Sequence, residues 1–104
     1  MALVKPTTES LSSQQRQKLC DQLQLAIPTL EKLLSHSDEL LRDRALESLL
    51  YIGLEAKKSR HANYDLVIAI LQKAASNPHQ DIRKNASWAV EQIESAWTIP
   101  IGNK

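Results

Sequence analysis

The chain has 104 residues, a length typical of one domain, and its 13 basic side chains nearly balance 12 acidic ones. The formal net charge of +1 excludes a global field that would steer the chain to nucleic acid or to an anionic membrane surface. Its 42% hydrophobic and 24% charged residues are typical of a globular protein, which excludes wholesale disorder. No apolar run approaches the ~18 residues that would span a bilayer, so the sequence predicts no membrane association.

Composition and cysteine content narrow the class of protein. Only two glycines and no phenylalanine occur, while leucine, alanine, glutamine, glutamate and lysine dominate. Such a composition is typical of helices that pack on one another, and it predicts an all-α fold. The single cysteine, Cys20, excludes an internal disulfide, and no charged segment followed by an apolar one opens the chain. We therefore expect a cytoplasmic location.

The first predicted element follows a short leader. Residues 1–10 lack periodicity and are interpreted as a flexible leader, and the helical domain is expected over 11–97. Apolar residues recur at steps of three and four over 11–35, which predicts a helix, and Ser12 with Gln15 fits a capping box at its start. Pro28 interrupts this pattern, because it lacks an amide donor and crowds the preceding turn. The sequence predicts either a bend or a break into two helices there.

Three further helices are expected along the chain. The second runs over 38–57, with Asp38 at its start and basic residues at its end, as the helix dipole favours. The third covers 64–76, and the fourth runs from Asn77 to about residue 97, with Asn77 as the N-cap and Pro78 as the first helical residue. The tail, 98–104, contains a proline and a glycine that oppose further helix. The predicted inward positions of helices two and three are Leu41, Ala45, Leu49, Ile52, Leu66, Val67, Ile70, Leu71 and Ala74.

An internal repeat relates the two halves of the domain. Arg42 and Ala45 recur as Arg83 and Ala86, both at an offset of 41 residues. The same offset aligns seven further positions of the same or similar type: Leu25 with Leu66, Ile27 with Ile68, Leu30 with Leu71, Lys32 with Lys73, Leu41 with Ile82, Leu49 with Val90 and Ile52 with Ile93. The sequence therefore predicts a duplicated helix pair, at a spacing within the range of helical repeat units.

The two copies resemble a known repeat family. "AIPTLEKLLSHSDELLRDRALESLLYIG", from Ala26 to Gly53, is similar to a HEAT repeat of the short type found in phycobilisome-lyase-like proteins. "VIAILQKAASNPHQDIRKNASWAVEQI", from Val67 to Ile93, is similar too, although Ala69 stands where the family has proline. The resemblance implies two HEAT-like antiparallel helix pairs in a short right-handed α-solenoid, close to a four-helix bundle.

The resemblance also implies structural roles for five repeat positions. These positions are Pro28, Arg42, Ala45, Arg83 and Ala86. The alanines are expected where the two helices of a pair meet, because a small side chain lets them approach closely. In the family such arginines pair with an acidic or backbone group of a neighbouring unit, and Asp38 and Asp81 are the candidate partners here. An anion-binding or catalytic role for either arginine is the minority interpretation.

The two copies also differ, and the differences predict where the stack ends. Leu46, Leu50 and Leu54 of the second helix are replaced in the fourth by polar residues at 87, 91 and 95. The polar version is expected to face solvent as a C-terminal cap, so the chain is expected to form a complete stack. Two units are fewer than the roughly three that usually make a stable stack. The first helix supplies part of the missing layer, or the protein forms a homodimer.

The strongest candidate for a binding residue is Trp88. It occupies the position of Glu47, where a solvent-facing residue is expected, and aromatic residues on polar faces are enriched at binding hot spots. Lys84 and Gln92 lie one turn away on either side, and Glu47 and Asp43 occupy the matching surface of the second helix. An equally weighted alternative is that Trp88 packs against Pro78 or the tail.

The sequence shows no arrangement typical of catalysis, so we expect no enzymatic activity and no cofactor. His36, His61 and His79 lie near turns, without the cysteine or carboxylate spacing of a zinc site. Cys20 has no neighbour that would lower its thiol pKa, and it is interpreted as a small core residue.

Three functional hypotheses follow. The first is a small adaptor that binds another protein, of unknown identity, through the second helices of the two units. The second, suggested by the resemblance alone, is an accessory subunit of a chromophore lyase or of a phycobilisome-processing system. The third, nucleic-acid binding through Lys57, Lys58, Arg60 and Lys84, is disfavoured by the near-neutral charge.

Overall fold

The structure, a computed structural model, describes residues 12–96, which contain helices joined by short turns and no strand. The predicted all-α class is therefore confirmed for this part of the chain, while the predicted leader, 1–10, and the predicted tail, 98–104, lie outside the described residues. The helices are α1 (Ser13–Gln24), α2 (Ile27–Leu33), α3 (Glu39–Ser59), α4 (Asn63–Lys73) and α5 (Gln80–Glu94), and a short 3-10 helix (Ala74–Ser76) follows α4. None of these helices is long and apolar enough to cross a membrane.

The first predicted helix is broken in two, as Pro28 indicated. Ser12 caps α1 through the predicted capping box, in which the Gln15 amide donates to Ser12 Oγ at 3.1 Å and the Ser12 amide donates to Gln15 Oε1 at 2.8 Å. The chain then turns at Leu25 and Ala26, and Pro28 lies in the first turn of α2. A proline is tolerated there because the first amides of a helix have no intrahelical acceptor.

Helix α3 contacts each of the other four α-helices among the described residues. Asp38 caps its start, since its carboxylate accepts from the Leu40 amide at 2.9 Å. The helix ends at Ser59 and is followed by Arg60, whose φ of 53° is left-handed, and the His61 amide closes this end by donating to the Ala56 carbonyl. Two lysines in the last turn complement the helix dipole, as predicted.

The predicted start of the last helix is wrong by two residues. Helix α5 begins at Gln80 with His79 as its cap residue, and Asn77 is not the N-cap. The Asn77 side chain instead accepts from the His79 amide at 2.8 Å and donates to the Leu34 carbonyl at 3.1 Å. Because this amide bridges to the end of α2, the chain stays extended through Asn77 and the helix starts later.

The core lies between α3 and the pair α4 and α5. Ala45, Leu49 and Ile52 are buried as predicted, and they pack with buried residues of the other helices, namely Ile27, Leu34, Val67, Leu71, Ala74, Ile82, Ala86, Ala89 and Ile93. Gly53 marks the closest approach, because a Cβ atom there would lie 2.5 Å from Ile93 Cδ1 and 3.1 Å from Val67 Cγ1. The absence of a side chain on α3 lets both residues pack directly on its backbone.

Two predicted inward positions are exposed. Leu41 is 39% exposed and Leu66 is 42% exposed, although both fit the apolar period of their helices. Ile70 is only partly buried against the core. Periodicity identifies the apolar side of a helix, but burial requires another element to cover that side, and at Leu41 and Leu66 the cover is incomplete.

Helix α1 is held largely by polar contacts. Arg16 Nη1 donates to Glu55 Oε2 at 2.9 Å, and both residues are buried, with 5% and 2% of their surfaces exposed. Asn63 Nδ2 donates to the Cys20 carbonyl at 2.7 Å, and Gln17 donates to the Ser59 carbonyl at 2.8 Å. These bonds attach α1 to the end of α3 and the start of α4.

The Gly53 contact gives a test of the packing. Gly53→Ala is expected to lower the free energy of unfolding by about 1–2 kcal/mol, because overpacking outweighs the better helix propensity of alanine. Ile93→Val removes the atom that the new methyl meets, so the double variant is expected to be about 1 kcal/mol more stable than the sum of the single effects. Urea unfolding followed by circular dichroism measures all three, and strictly additive effects would contradict the contact.

The buried ion pair gives a second test. Arg16→Met leaves the Glu55 carboxylate buried without its partner, and we expect a loss of about 3 kcal/mol in the free energy of unfolding. Arg16→Met combined with Glu55→Leu replaces the pair by apolar groups and is expected to recover most of that loss. Chemical denaturation checks both, and a double variant no more stable than the single one would show that the carboxylate is not the source of the loss.

Candidate protein-binding face

The two arginines of the predicted duplication make equivalent hydrogen bonds in the two helix pairs. Arg42 Nη1 donates to the His36 carbonyl at 2.9 Å, and Arg83 Nη1 donates to the Asn77 carbonyl at 2.8 Å. Asn77 lies 41 residues after His36, the same offset that separates the two arginines. Each arginine thus holds the turn that leads into its own helix, in the hairpin of α2 with α3 and in the hairpin of α4 with α5.

Arg42 also joins the two hairpins. Its Nη1 donates to the Ser37 carbonyl at 3.1 Å, and its Nε donates to Asp81 Oδ2 at 3.2 Å. Of the two predicted acidic partners, Asp81 is therefore the one that is paired, while Asp38 caps α3 instead. Arg42 is buried and Arg83 is exposed. The equivalent arginines are therefore expected to contribute unequally to the free energy of unfolding.

The two repeat alanines lie in the core. Ala45 and Ala86 are both buried, on α3 and α5 respectively. At the far end of the same two helices, Lys57 donates to the Glu94 carbonyl. Together with the pair of Arg42 and Asp81, this contact shows that α3 and α5 run side by side in the same direction.

The candidate residues of α5 form one exposed row. Trp88 is 52% exposed, with Lys84 one turn before it and Gln92 one turn after it, and both of these are exposed as well. The remaining exposed positions of α5 are polar: Gln80, Arg83, Asn85, Ser87, Glu91 and Glu94. An aromatic ring that is half exposed on such a helix leaves a large apolar surface in water.

The candidate residues of α3 lie on the neighbouring helix. Asp43 and Glu47 are exposed, and they adjoin Leu46 and Leu50, which are buried and partly buried. These leucines match the polar positions 87 and 91 of α5, which are exposed as the predicted cap requires. Asp43 and Glu47 of α3 thus occupy the repeat positions of Lys84 and Trp88 of α5, and all four residues are exposed.

Residues that suggested other chemistry have ordinary structural surroundings. Cys20 is fully buried as predicted, and burial raises the pKa of its thiol, an effect that the Ser59 side chain partly offsets. His61 Nε2 lies 2.7 Å from Asp21 Oδ1, and its Nδ1 accepts from the Asn63 amide. Over residues 12–96, no group of three or more metal-binding side chains comes together.

The cations of the nucleic-acid hypothesis do not form one patch. Lys57, Lys58 and Arg60 lie at the C-terminal end of α3, whereas Lys84 lies near the start of α5. Since Asp81 lies beside Arg42, Lys84 is level with about Ala45, twelve residues before Lys57. At ~1.5 Å per residue the separation along the axis is roughly 18 Å.

Comparisons with known proteins do not assign the chain to a family. No protein-family model, no curated protein and no solved structure matches it. The resemblance to HEAT repeats therefore depends on the residues quoted above, and it enters the functional argument only as a proposal.

Sequence reasoning missed the polar attachment of α1 and the exposed leucines at 25 and 40. One signal was present for the first, because Glu55 lies between the inward-facing Ile52 and Ala56, where a charged residue requires a partner. Its partner, Arg16, lies 39 residues away and could not be assigned from local spacing. Leu25 and Leu40 lie at element ends, where the apolar period does not extend.

The two repeat arginines give a matched pair of variants. Arg42→Met removes three hydrogen bonds and leaves two carbonyls and Asp81 without their donor, so we expect a loss of about 2–3 kcal/mol in the free energy of unfolding. Arg83→Met removes one bond at an exposed site and is expected to cost less than about 1 kcal/mol. Urea denaturation of both proteins provides the comparison, and equal losses would contradict the bridging role of Arg42.

Proposed function

We propose that this protein is a small, non-enzymatic protein-binding module built from two HEAT-like helix pairs stacked as a short solenoid. Its partner contacts the exposed row of Lys84, Trp88 and Gln92 on α5, and the acidic residues Asp43 and Glu47 of α3 border that contact. The observation that carries the proposal is the half-exposed Trp88 on an otherwise polar helix surface.

The energetics of protein interfaces support this choice of residue. Tryptophan is among the residues most enriched at binding hot spots, because burying its ring removes a large apolar area from water. Polar neighbours such as Lys84 and Gln92 provide a rim that excludes water around such an anchor. A partner with an apolar pocket for the ring and polar groups around it would fit this surface.

The charges around Trp88 restrict the partner further. Lys84 is the cation nearest to Trp88 along α5, and Asp43 and Glu47 supply two carboxylates from α3. A complementary partner carries an acidic group on the α5 side of its pocket and a basic group on the α3 side. Such pairing sets orientation and association rate more than affinity.

The other hypotheses have less support. The separation of the basic residues along α3 and α5 does not favour a nucleic-acid site, since a backbone-tracking site needs a continuous basic stripe. An accessory role in chromophore attachment rests on the resemblance alone. In both cases the described residues offer no specific feature that the hypothesis needs.

Truncation of Trp88 tests the proposal directly. Trp88→Ala is expected to weaken binding by about 2 kcal/mol or more, roughly 30-fold in Kd, while leaving the thermal midpoint nearly unchanged because the ring is half exposed. A protein captured from host lysate by the wild type and identified by mass spectrometry would be purified and titrated against each variant by calorimetry.

Leu66→Ala is the matched control, because Leu66 is an exposed apolar residue on α4, outside the proposed face. It is expected to bind like the wild type. Equal affinities for wild type and Trp88→Ala, or equal losses for Trp88→Ala and Leu66→Ala, would reject the proposed face.

A further inference from the structure

Helix α1 contributes little to the apolar core. Its buried residues are Arg16 and Cys20, and Leu23 is the side chain of α1 that packs, partly buried, against the hydrophobic core of residues 12–96. Helix α2 has seven residues against twelve in α1, yet Ile27 belongs to that core and Leu30 packs against it. Because apolar burial is the main stabilising term in folding, α1 is held less firmly than α2.

The contacts that hold α1 are mainly polar, and they lie together at one end of the domain. Residues 16–21 of α1 bond to residues 55–63, and these bonds include the buried ion pair of Arg16 with Glu55. The bonds are exchanged for bonds to water when α1 leaves, so the net contribution of each is small. The desolvation of the two charges also offsets much of the attraction within the ion pair.

The docked position of α1 leaves a buried polar atom without a partner. Asn63 is fully buried and its Nδ2 donates to the Cys20 carbonyl, but its Oδ1 has no donor among the described residues. Rotating the amide by half a turn would set Oδ1 against that carbonyl, so the side chain cannot satisfy both of its polar atoms here. An unsatisfied buried acceptor costs free energy in the docked state, and this cost is removed once α1 leaves and solvent reaches the amide.

A short turn joins α1 to the rest of the domain. Leu25 and Ala26 are the residues between α1 and α2, both are exposed, and Leu25 has 81% of its surface in solvent. Their amides donate to the carbonyls of Gln22 and Leu23, at the end of α1 itself. Rotation of the backbone at these two residues can therefore move α1 while α2 stays in the core.

We propose that α1 is a clasp, which opens from α3 and α4 about the turn at Leu25 and Ala26 while the helices from α2 to α5 stay folded. In the closed state Cys20 is fully buried. In the open state its thiol, the Glu55 carboxylate and the Asn63 amide meet solvent. Opening therefore changes the chemical surface at this end of the domain without unfolding the core.

Cys20 reports this opening directly, because it is the single cysteine of the chain. Iodoacetamide alkylates a thiolate, so the native protein is labelled only while the thiol is in solvent. Mass spectrometry of the full chain measures the labelling rate at increasing urea, and Cys20→Ser is the control for reaction at other side chains. The wild type is expected to be labelled more slowly than the unfolded chain, at a rate that hardly changes with urea below the unfolding transition, because opening exposes less surface than unfolding.

Two variants separate the opening of α1 from the unfolding of the whole domain. Arg16→Met is expected to raise the labelling rate roughly 100-fold, because it leaves the Glu55 carboxylate unpaired in the closed state. Ile82→Val alters the core near the start of α5. It is expected to raise the equilibrium constant for unfolding about fivefold and to leave the labelling rate unchanged. A labelling rate that rises by the same factor as that equilibrium constant overturns the proposal, because Cys20 would then be exposed only in the unfolded chain.

The labelled protein gives a second test. Cys20 has no exposed surface in the closed state, so its adduct cannot return to the same site and keeps the clasp open. The labelled chain is expected to remain helical by circular dichroism and to unfold cooperatively in urea. A labelled chain that is unfolded, or a wild type that is labelled as fast as the unfolded chain, overturns the proposal. Trp88→Ala is expected to be labelled like the wild type, which separates this test from that of the proposed function.

Discussion

The close approach of α3 to α4 and α5 at Gly53 sets the geometry of the rest of the domain. Because position 53 has no side chain, Ile93 and Val67 pack directly on the backbone of α3. Ala45 of α3 and Ala86 of α5 are small and fully buried, as close helix packing requires of residues at a contact. A larger spacing would separate Arg42 from Asp81, which now lie 3.2 Å apart, and would open the core.

Apolar packing holds these helices together without fixing their register, and buried polar contacts supply that information. Arg42 binds Asp81 and two turn carbonyls, and Asn77 binds the end of α2. Asn63 and Arg16 do the same for α1. Each bond loses its partner if a helix slides by one residue, and an unpaired buried polar group is costly. The hydrogen bonds therefore penalise any arrangement in which the helices are shifted along one another.

Sequence periodicity predicted the parts of this fold that depend on local physics. Helix existence, the break near Pro28, the cap at Ser12 and the buried positions Ala45 and Leu49 all follow from spacing and from backbone chemistry. Contacts between residues that are far apart in the sequence leave no comparable pattern in the local spacing of residues.

The exceptions show where local reasoning ends. Leu41 has the period of a core residue but lacks a covering element, and Asn77 has the chemistry of an N-cap but bonds to α2. The pairing of Arg16 with Glu55 depends on how α1 folds back, which the apolar pattern does not encode.

The candidate binding residues illustrate how a duplication makes a single sequence informative. Two residues at the same repeat position have nearly the same backbone conformation. A difference in residue type between them therefore indicates that their side chains have different neighbours. Glu47 and Trp88 are both exposed, so α5 leaves half of an aromatic side chain in solvent at a position where α3 has a carboxylate. Leu40 and Asp81, which also share a repeat position, have different surroundings. Asp81 binds Arg42 inside the domain, whereas Leu40 is 58% exposed and has no such partner helix beside it to require a carboxylate.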